Sequence, residues 1–376
     1  MSLAPGKAAV SAIVLAAGMS RRMGTPKQLL RVGDRTLLEL TLENVRKSTV
    51  GEIILVLGFA AAEIQEKVST QGLKVVLNST YQEGMAGSVG AGIAAVDPVS
   101  EAALIVLADQ PSVRPATLDR LINHHRKLRR QIVIPSYKGF RGNPVLLDRS
   151  VFLEVMAITG DVGCRAIFAG HTESIHKLEV DDVGILLDVD TTSDLAAIGA
   201  EHAGERATPG VSDLEIRGGV DPQVSAARQP DLAVVGRDAL AVALIRLAKL
   251  LHYTTTIVDP VLGLRDLPEV DRVLHRLDFS LLPQNRDRYI IVASRGQFDE
   301  DAVEQALKSS APYVGLVAGK KRAQEVTTSL QRKAISAEQI GRLKTSAGLA
   351  LGAESPEEIA LSIMAEIVAV RRGAAK

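Results

Sequence analysis

Five short apolar runs, Ala12 to Ala16, Ile53 to Leu57, Val75 to Leu77, Ala103 to Ala108 and Ile132 to Ile134, carry no polar alternation. A strand with one wet face alternates apolar and polar residues, and a strand covered on both faces does not. These runs are therefore predicted to be buried parallel strands. Between them, Leu37 to Arg46, Met85 to Ala95 and Pro115 to Leu128 place apolar residues three or four apart, as helices lying on a sheet require. The expectation is an α/β domain over residues 1–201. Residues 202–230 lose the periodicity and collect Gly, Pro, Ser and charge, which reads as a linker. A second alternation then begins over residues 231–376, with strands expected at Leu232 to Val235, Thr255 to Val258, Tyr289 to Ala293 and Tyr313 to Val317. Its last helix is well signalled. Ser355 and Glu358 are spaced as a capping box, Pro356 suits the first turn, and Ile359, Ile363, Ile367 and Val370 form an apolar stripe.

The first of these strands runs into the stretch Val14-Leu-Ala-Ala-Gly-Met-Ser-Arg-Arg-Met-Gly-Thr-Pro-Lys27. Gly18 lets the backbone turn without a Cβ clash, and the N–H groups that follow can face phosphate oxygens. Arg21, Arg22 and Lys27 can neutralise the charge those dipoles only partly offset. That order suits a nucleoside triphosphate, although an ordinary strand-to-helix turn with solvated cations would read similarly. The spacing matches neither G-x-G-x-x-G nor G-x-x-x-x-G-K-[ST]. Lys plus Arg and Asp plus Glu number 44 each, and there is no Trp, so a general nucleic-acid surface is not expected. One cysteine, Cys164, leaves no intramolecular disulfide or multi-thiolate metal site and fits a reducing, cytoplasmic setting. No signal-like core or ~20-residue apolar span is present, so no membrane partner is expected.

Further segments carry candidate chemistry. Asp109, in Leu104-Ile-Val-Leu-Ala-Asp-Gln-Pro111, follows a buried strand at the end where ligands of open α/β sheets collect; a turn before Pro111 is the plainer reading. Leu187-Asp-Val-Asp-Thr-Thr-Ser-Asp194 offers Asp190, and more weakly Asp188, as metal-facing carboxylates or as turn and helix-start residues. Asn78-Ser-Thr-Tyr-Gln-Glu-Gly84-Met-Ala-Gly-Ser88 reads as a loop entering a helix. Gly139-Phe-Arg-Gly-Asn-Pro-Val145 and Gly160-Asp-Val-Gly-Cys-Arg165 complete the set, with Cys164 beside an apolar run and read as a buried structural thiol.

In this order the six segments resemble the MobA-like nucleotidyltransferases over residues 10–200, with a Rossmann-like domain built on a mostly parallel sheet. The resemblance implies that Leu15, Ala16, Ala17, Gly18, Lys27, Asn78 and Ser88 bind the nucleotide and that Arg22, Lys27 and Asp109 are catalytic. It implies Asp109 and Asp190 as ligands of Mg2+ or Mn2+, and Gly142, Asn143, Pro144, Asp161 and Gly163 as the acceptor side. Ala17 gives L-A-A-G rather than L-A-G-G, which is similar to the molybdenum cofactor cytidylyltransferase branch, so CTP is the implied substrate and molybdopterin the acceptor. Asn143 stands where that branch usually has His, which argues against an acid or base role there.

Residues 231–373 resemble the C-terminal, Rossmann-like α/β domain of XdhC/CoxI accessory proteins. The matching segments are Val258-Asp-Pro260, Tyr313-Val-Gly-Leu-Val-Ala-Gly-Lys-Lys-Arg322 and Gly348-Leu-Ala-Leu-Gly-Ala-Glu-Ser-Pro-Glu-Glu-Ile-Ala360. A molybdenum hydroxylase apo-enzyme is the implied partner. Val235-Gly-Arg-Asp-Ala239 lacks the second glycine of a G-x-G turn, which argues against ordinary dinucleotide binding. Lys320, Lys321 and Arg322 could hold a pterin phosphate or form a solvated helix start. The expected activity is CMP transfer from CTP to molybdopterin with release of pyrophosphate, coupled to cofactor handling. The alternatives are a non-catalytic cofactor-binding chaperone and a nucleotidyltransferase for another phosphorylated acceptor.

Overall fold

The computed structural model describes residues 9–19, 26–171, 173–189, 194, 195, 198, 213–217, 229–262, 264, 266, 267, 269–283, 287–333 and 335–373. The chain divides into two compact units, residues 1–137 with 141–207 and residues 208–376 with 138–140; the strand Phe140–Arg141 belongs with the sheet of the first, to which it pairs.

In the first unit the elements are β1 (Ala9–Ala16), the short hairpin β2 (Arg31–Val32) and β3 (Arg35–Thr36), α1 (Leu37–Arg46), β4 (Glu52–Leu57), α2 (Ala61–Lys67), β5 (Lys74–Leu77), α3 (Met85–Ala94), β6 (Ser100–Leu107), α4 (Pro115–Leu128), β7 (Ile132–Tyr137), β8 (Phe140–Arg141), β9 (Val145–Asp148), α5 (Phe152–Met156) and β10 (Ile175–Glu179). The main sheet runs β10-β7-β9-β6-β1-β4-β5, with β8 paired to β7. β1 pairs in parallel with both β4 and β6, whereas β9 runs antiparallel to β6 and β7. Four of the five apolar runs are thus strands covered on both faces; Val75 to Leu77 lies in the edge strand β5, where the two valines are half-buried and Leu77 is exposed, because an edge strand has a neighbour on one side only. Val10, Ala12, Val14 and Ala16 of β1 pack with Leu38 and Leu42 of α1 and Leu118, Leu121 and Ile122 of α4. Ile13 faces the other way, with Val89 and Ile93 of α3. At Gly92 the helix lies so close that a Cβ would meet the Ile13 side chain at 2.4 Å. Burying each such Val, Leu or Ile contributes ~1.5–3 kcal/mol, which is what holds the helices to the sheet.

The second unit contains β11 (Leu214–Ile216), β12 (Asp231–Val235), α6 (Ala239–Leu250), β13 (Thr254–Val258), β14 (Arg272–Leu274), β15 (Arg288–Val292), α7 (Asp299–Lys308), β16 (Tyr313–Leu316), α8 (Lys320–Arg332), α9 (Ala337–Gly341), β17 (Leu343–Lys344) and α10 (Pro356–Arg371). Its sheet order is β11-β14-β13-β12-β15-β16-β17, parallel throughout except for the pairing of β11 with β14. From β14 to β17 this is the doubly wound order of a Rossmann sheet. β11 falls inside the stretch read as a linker, because three residues pairing at a sheet edge carry too short a pattern to register in sequence. The capping box of the final helix is present: Ser355 Oγ accepts from the Glu358 N–H at 3.2 Å, and Glu358 Oε2 accepts from the Ser355 N–H at 3.0 Å. Among the described residues, no helix is long and apolar enough to cross a membrane.

Candidate active site

In the first unit β4 and β6 flank β1 on opposite sides, so the connections leaving the carboxyl ends of β1 and β6 diverge and open a crevice. The two loops are joined at their base, where the Ala108 N–H donates to the Leu15 carbonyl at 3.2 Å. A cavity of about 740 Å³ lies there, lined by Leu15, Ala17, Gly18, Lys27, Ser88, Asp109 and Asp161 among the residues singled out from the sequence. Among the described residues no atom outside its chain neighbours comes within 4 Å of where a Cβ on Gly18 would stand. The turn therefore keeps room for a ligand to approach the backbone.

Lys27 Nζ donates to Asp109 Oδ2 at 2.8 Å, with the two side chains 15% and 31% exposed. The other carboxylate oxygen, Oδ1, is buried with no hydrogen-bond partner among the described residues. An unmet buried acceptor costs ~1–3 kcal/mol, so it marks a place where a donor or a cation would be welcome. Beside it, Val189 donates its N–H to the Asp109 carbonyl at 3.0 Å, and Asp188 Oδ1 accepts from Gln110 Nε2 at 2.5 Å. Arg22 and Asp190 lie outside the described residues.

On the opposite wall, Asp161 Oδ1 accepts from the Met85 N–H at 3.2 Å and caps α3. Gly84 makes this contact possible: its φ is +117°, and a Cβ would come within 2.5 Å of the Asp161 backbone. Ser88, one turn along α3, takes a hydrogen bond from Asn78 Nδ2 at 3.0 Å. Asn78 Oδ1 in turn accepts from the Thr80 N–H and hydroxyl, each at 3.0 Å. Asn78 is buried and organises the loop that delivers Ser88; it is not among the residues lining the cavity.

The remaining expected residues are placed differently. Ala16 is buried and closes β1. Gly142 donates its N–H to the Pro135 carbonyl at 2.9 Å, Asn143 donates its N–H to the Ile185 carbonyl at 3.0 Å, and the Asn143–Pro144 peptide is cis. A Cβ on Gly142 would meet the Ile185 carbonyl at 2.4 Å, so this segment packs on residues 183–186 rather than lining the cavity. Gly163 likewise stands outside the lining, where a Cβ would press on Met85 Sδ at 3.0 Å. Cys164 is buried, and burial pushes its thiol up to about 11, in keeping with a structural role.

Gln28 had no prior mark in the sequence, yet it lines the cavity and donates Nε2 to the carbonyls of Ala16 at 2.8 Å and Gly18 at 3.2 Å. A polar side chain directly after the loop lysine, just where the chain returns to the core, is the signal that could have drawn attention to it.

In the second unit the turn after β12 is closed by the chain itself. Gly236 has φ +128°, and a Cβ would meet the Ala293 carbonyl at 2.4 Å, so packing alone requires glycine. Asp238 caps α6 by accepting from the Ala241 N–H at 3.0 Å, and Arg295 Nε holds its other oxygen at 2.6 Å. A carboxylate thus stands where a pyrophosphate would need bare N–H groups. Asp259 accepts from the N–H groups of Val261 and Leu262 and orders its own turn. Arg322 is bound to Asp299 Oδ2 at 3.0 Å and Glu300 Oε1 at 2.8 Å, so it is neutralised from within; Lys320 and Lys321 are exposed.

Comparison with known proteins agrees with this division. Residues 12–176 match the model of the MobA-like NTP transferase domain, and residues 232–367 match that of the XdhC Rossmann domain. A protein named nicotine blue oxidoreductase from Paenarthrobacter nicotinovorans is 29% identical over 195 residues, which cover 50% of this chain and 94% of that protein. The molybdenum cofactor cytidylyltransferase of Escherichia coli is 28% identical over 189 residues, covering 50% of this chain and 93% of that protein. A crystal structure of Rv0371c from Mycobacterium tuberculosis aligns with a TM-score of 0.48 and 34% identity, covering 51% of this chain and 98% of that one. The chain is therefore a nucleotidyltransferase that joins a MobA-like NTP transferase domain to an XdhC Rossmann domain.

Proposed function

We propose that the first domain transfers CMP from CTP to the terminal phosphate of a molybdopterin-type cofactor. The observation that carries this reading is the cavity at the β1 and β6 strand ends, where Lys27 and the half-satisfied carboxylate of Asp109 meet beside the open face of Gly18. Support for the nucleotide and acceptor comes from Ala17 in the loop and from the cytidylyltransferase among the relatives.

In this reading Gly18 leaves room for the triphosphate, Lys27 pairs with its charge and Ser88 offers a hydroxyl from the facing helix. Among the described residues no group of three or more His, Cys, Asp or Glu could hold a metal ion. Mg2+ or Mn2+ bound with substrate phosphates typically takes only one or two protein carboxylates, and Asp109 Oδ1, unmet among the described residues, suits one such ligand. Asp109 would hold the ion, with Asp190 as a further ligand. Bound there, it would shield the charge of the α-phosphate. An oxygen of the acceptor phosphate attacks the α-phosphorus of CTP, the bond to the bridging α–β oxygen breaks, and pyrophosphate leaves with that electron pair. No covalent enzyme intermediate is needed, so the work of the protein is alignment and charge neutralisation. Asp161 lies on the wall assigned to the acceptor. The second domain would hand the product on to a molybdenum hydroxylase apo-enzyme.

The test is incubation with molybdopterin cofactor, Mg2+ and each nucleoside triphosphate in turn. Pyrophosphate release with CTP is expected, and none with any triphosphate would overturn the assignment. An Asp109→Ala variant that still matured the target enzyme would instead favour a binding chaperone. The relative named an oxidoreductase motivates a second reading, redox chemistry on the same domain. It would be carried by reduction of a dye substrate by an added reductant in the presence of the protein but not in its absence.

A further inference from the structure

The backbone from Leu15 to Gly18 spends all its carbonyls inward. Leu15 accepts from the Ala108 N–H at 3.2 Å and Ala17 from the Phe59 N–H at 3.2 Å. The two between and beyond, Ala16 and Gly18, both accept from one side chain, Gln28 Nε2, at 2.8 and 3.2 Å. One amide nitrogen thus spans positions 16 and 18, while Phe59 takes position 17. The orientation of the Gln28 amide follows from its partners: turned over, its oxygen would face two carbonyl oxygens.

Gln28 is 6% exposed, and its Oε1 is buried with no hydrogen-bond partner among the described residues. The nitrogen, not the oxygen, therefore accounts for a glutamine here. The residue sits in the short 3-10 turn of residues 27–29, so its neighbour Lys27 is the cation that reaches Asp109. One turn thus ties the phosphate-facing lysine to the loop at Gly18.

We propose that Gln28 is a positioning residue for the triphosphate: by holding the Ala16 and Gly18 carbonyls it keeps oxygen atoms away from the phosphates and sets the loop against Lys27. This rests on the reading that the cavity takes a nucleoside triphosphate. Loss of the clamp is expected to weaken triphosphate binding, and not acceptor binding, because the clamped segment lies on the nucleotide wall.

The experiment compares the wild type with Gln28→Met, which keeps the length of the side chain and removes both donor bonds together with the unmet oxygen, and with Gln28→Glu, which sets a carboxylate against two carbonyls. In nucleotide-free protein, amide hydrogen exchange over residues 16–19 is expected to rise about 10-fold in Gln28→Met while the rest of β1 stays protected. With substrates, the KM for CTP is expected to rise about 10-fold and more in Gln28→Glu, with the acceptor KM unchanged. Exchange within twofold of the wild type in Gln28→Met overturns the proposal, as does a rise confined to the acceptor KM. The exchange arm needs no nucleotide, so a wild type that turns over no triphosphate would refute the transferase reading while the clamp is still judged on its own result.

Discussion

Replacing Lys27 by Met should make the nucleotide-free protein bind a divalent cation more tightly. In the wild type one oxygen of Asp109 is held by Lys27 Nζ at 2.8 Å, so an incoming cation must displace or tolerate an ammonium group. A hydrogen bond to a charged group contributes ~1.5–3 kcal/mol when shielded from water. Asp109 is 31% exposed, and screening brings the figure nearer ~1–2 kcal/mol. At ~1.4 kcal/mol per factor of ten, the variant should bind Mn2+ about 5- to 30-fold more tightly. Triphosphate affinity should fall in the same variant, because a phosphate-facing cation has been removed. Titration of free Mn2+ by electron paramagnetic resonance, with Asp109→Asn as the control that loses the site, reads this directly. An unchanged or weakened Mn2+ affinity in Lys27→Met would refute the placement of the ion at Asp109.

The two loop glycines should separate packing from binding. Gly84→Ala, strained at φ +117° and within 2.5 Å of the Asp161 backbone, should lose ~2–4 kcal/mol in denaturant unfolding. Gly18→Ala meets no atom within 4 Å among the described residues and should unfold like the wild type while binding triphosphate poorly in calorimetry. Cys164, with its thiol pushed up to about 11 by burial, should resist iodoacetamide at neutral pH until the protein is unfolded; rapid labelling of the native protein would contradict its burial. His124 stacks on His176 with ring centroids 4.2 Å apart, and burial first, then His176, Arg130 and Lys127, hold its imidazole below the ordinary value of 6.5. The unfolded chain therefore binds more protons as pH falls, so stability is full above about 6.5 and declines below it. Melting temperatures across this range should show that decline, and His124→Gln should flatten it.

The alternation of apolar runs and helices was legible because buried parallel strands and sheet-packed helices impose different periods on the sequence, and the central strands of both sheets follow from it. Helix boundaries such as Leu37–Arg46 and Pro115–Leu128 were readable to the residue, since capping and proline preferences act within one turn. Strands β9, β11 and β17 were not, because two to four residues pairing with distant partners leave no period of their own. The same division runs through the site. Gly18, Lys27 and Asp109 could be picked out by residue type and position, as each sits where a strand ends. Which of the marked residues reach the cavity depended on packing: Asn78 turned inward to order a loop, Gly142 lies against Ile185, and Arg322 is spent on Asp299 and Glu300. The amino-acid sequence alone determined the two α/β domains and the chemistry of the loop at Gly18, because these are set by local periods and residue types. Only the tertiary structure decided that Lys27 meets Asp109 across 82 positions of chain and that Gln28 holds the loop from behind, because both depend on strands brought side by side by burial.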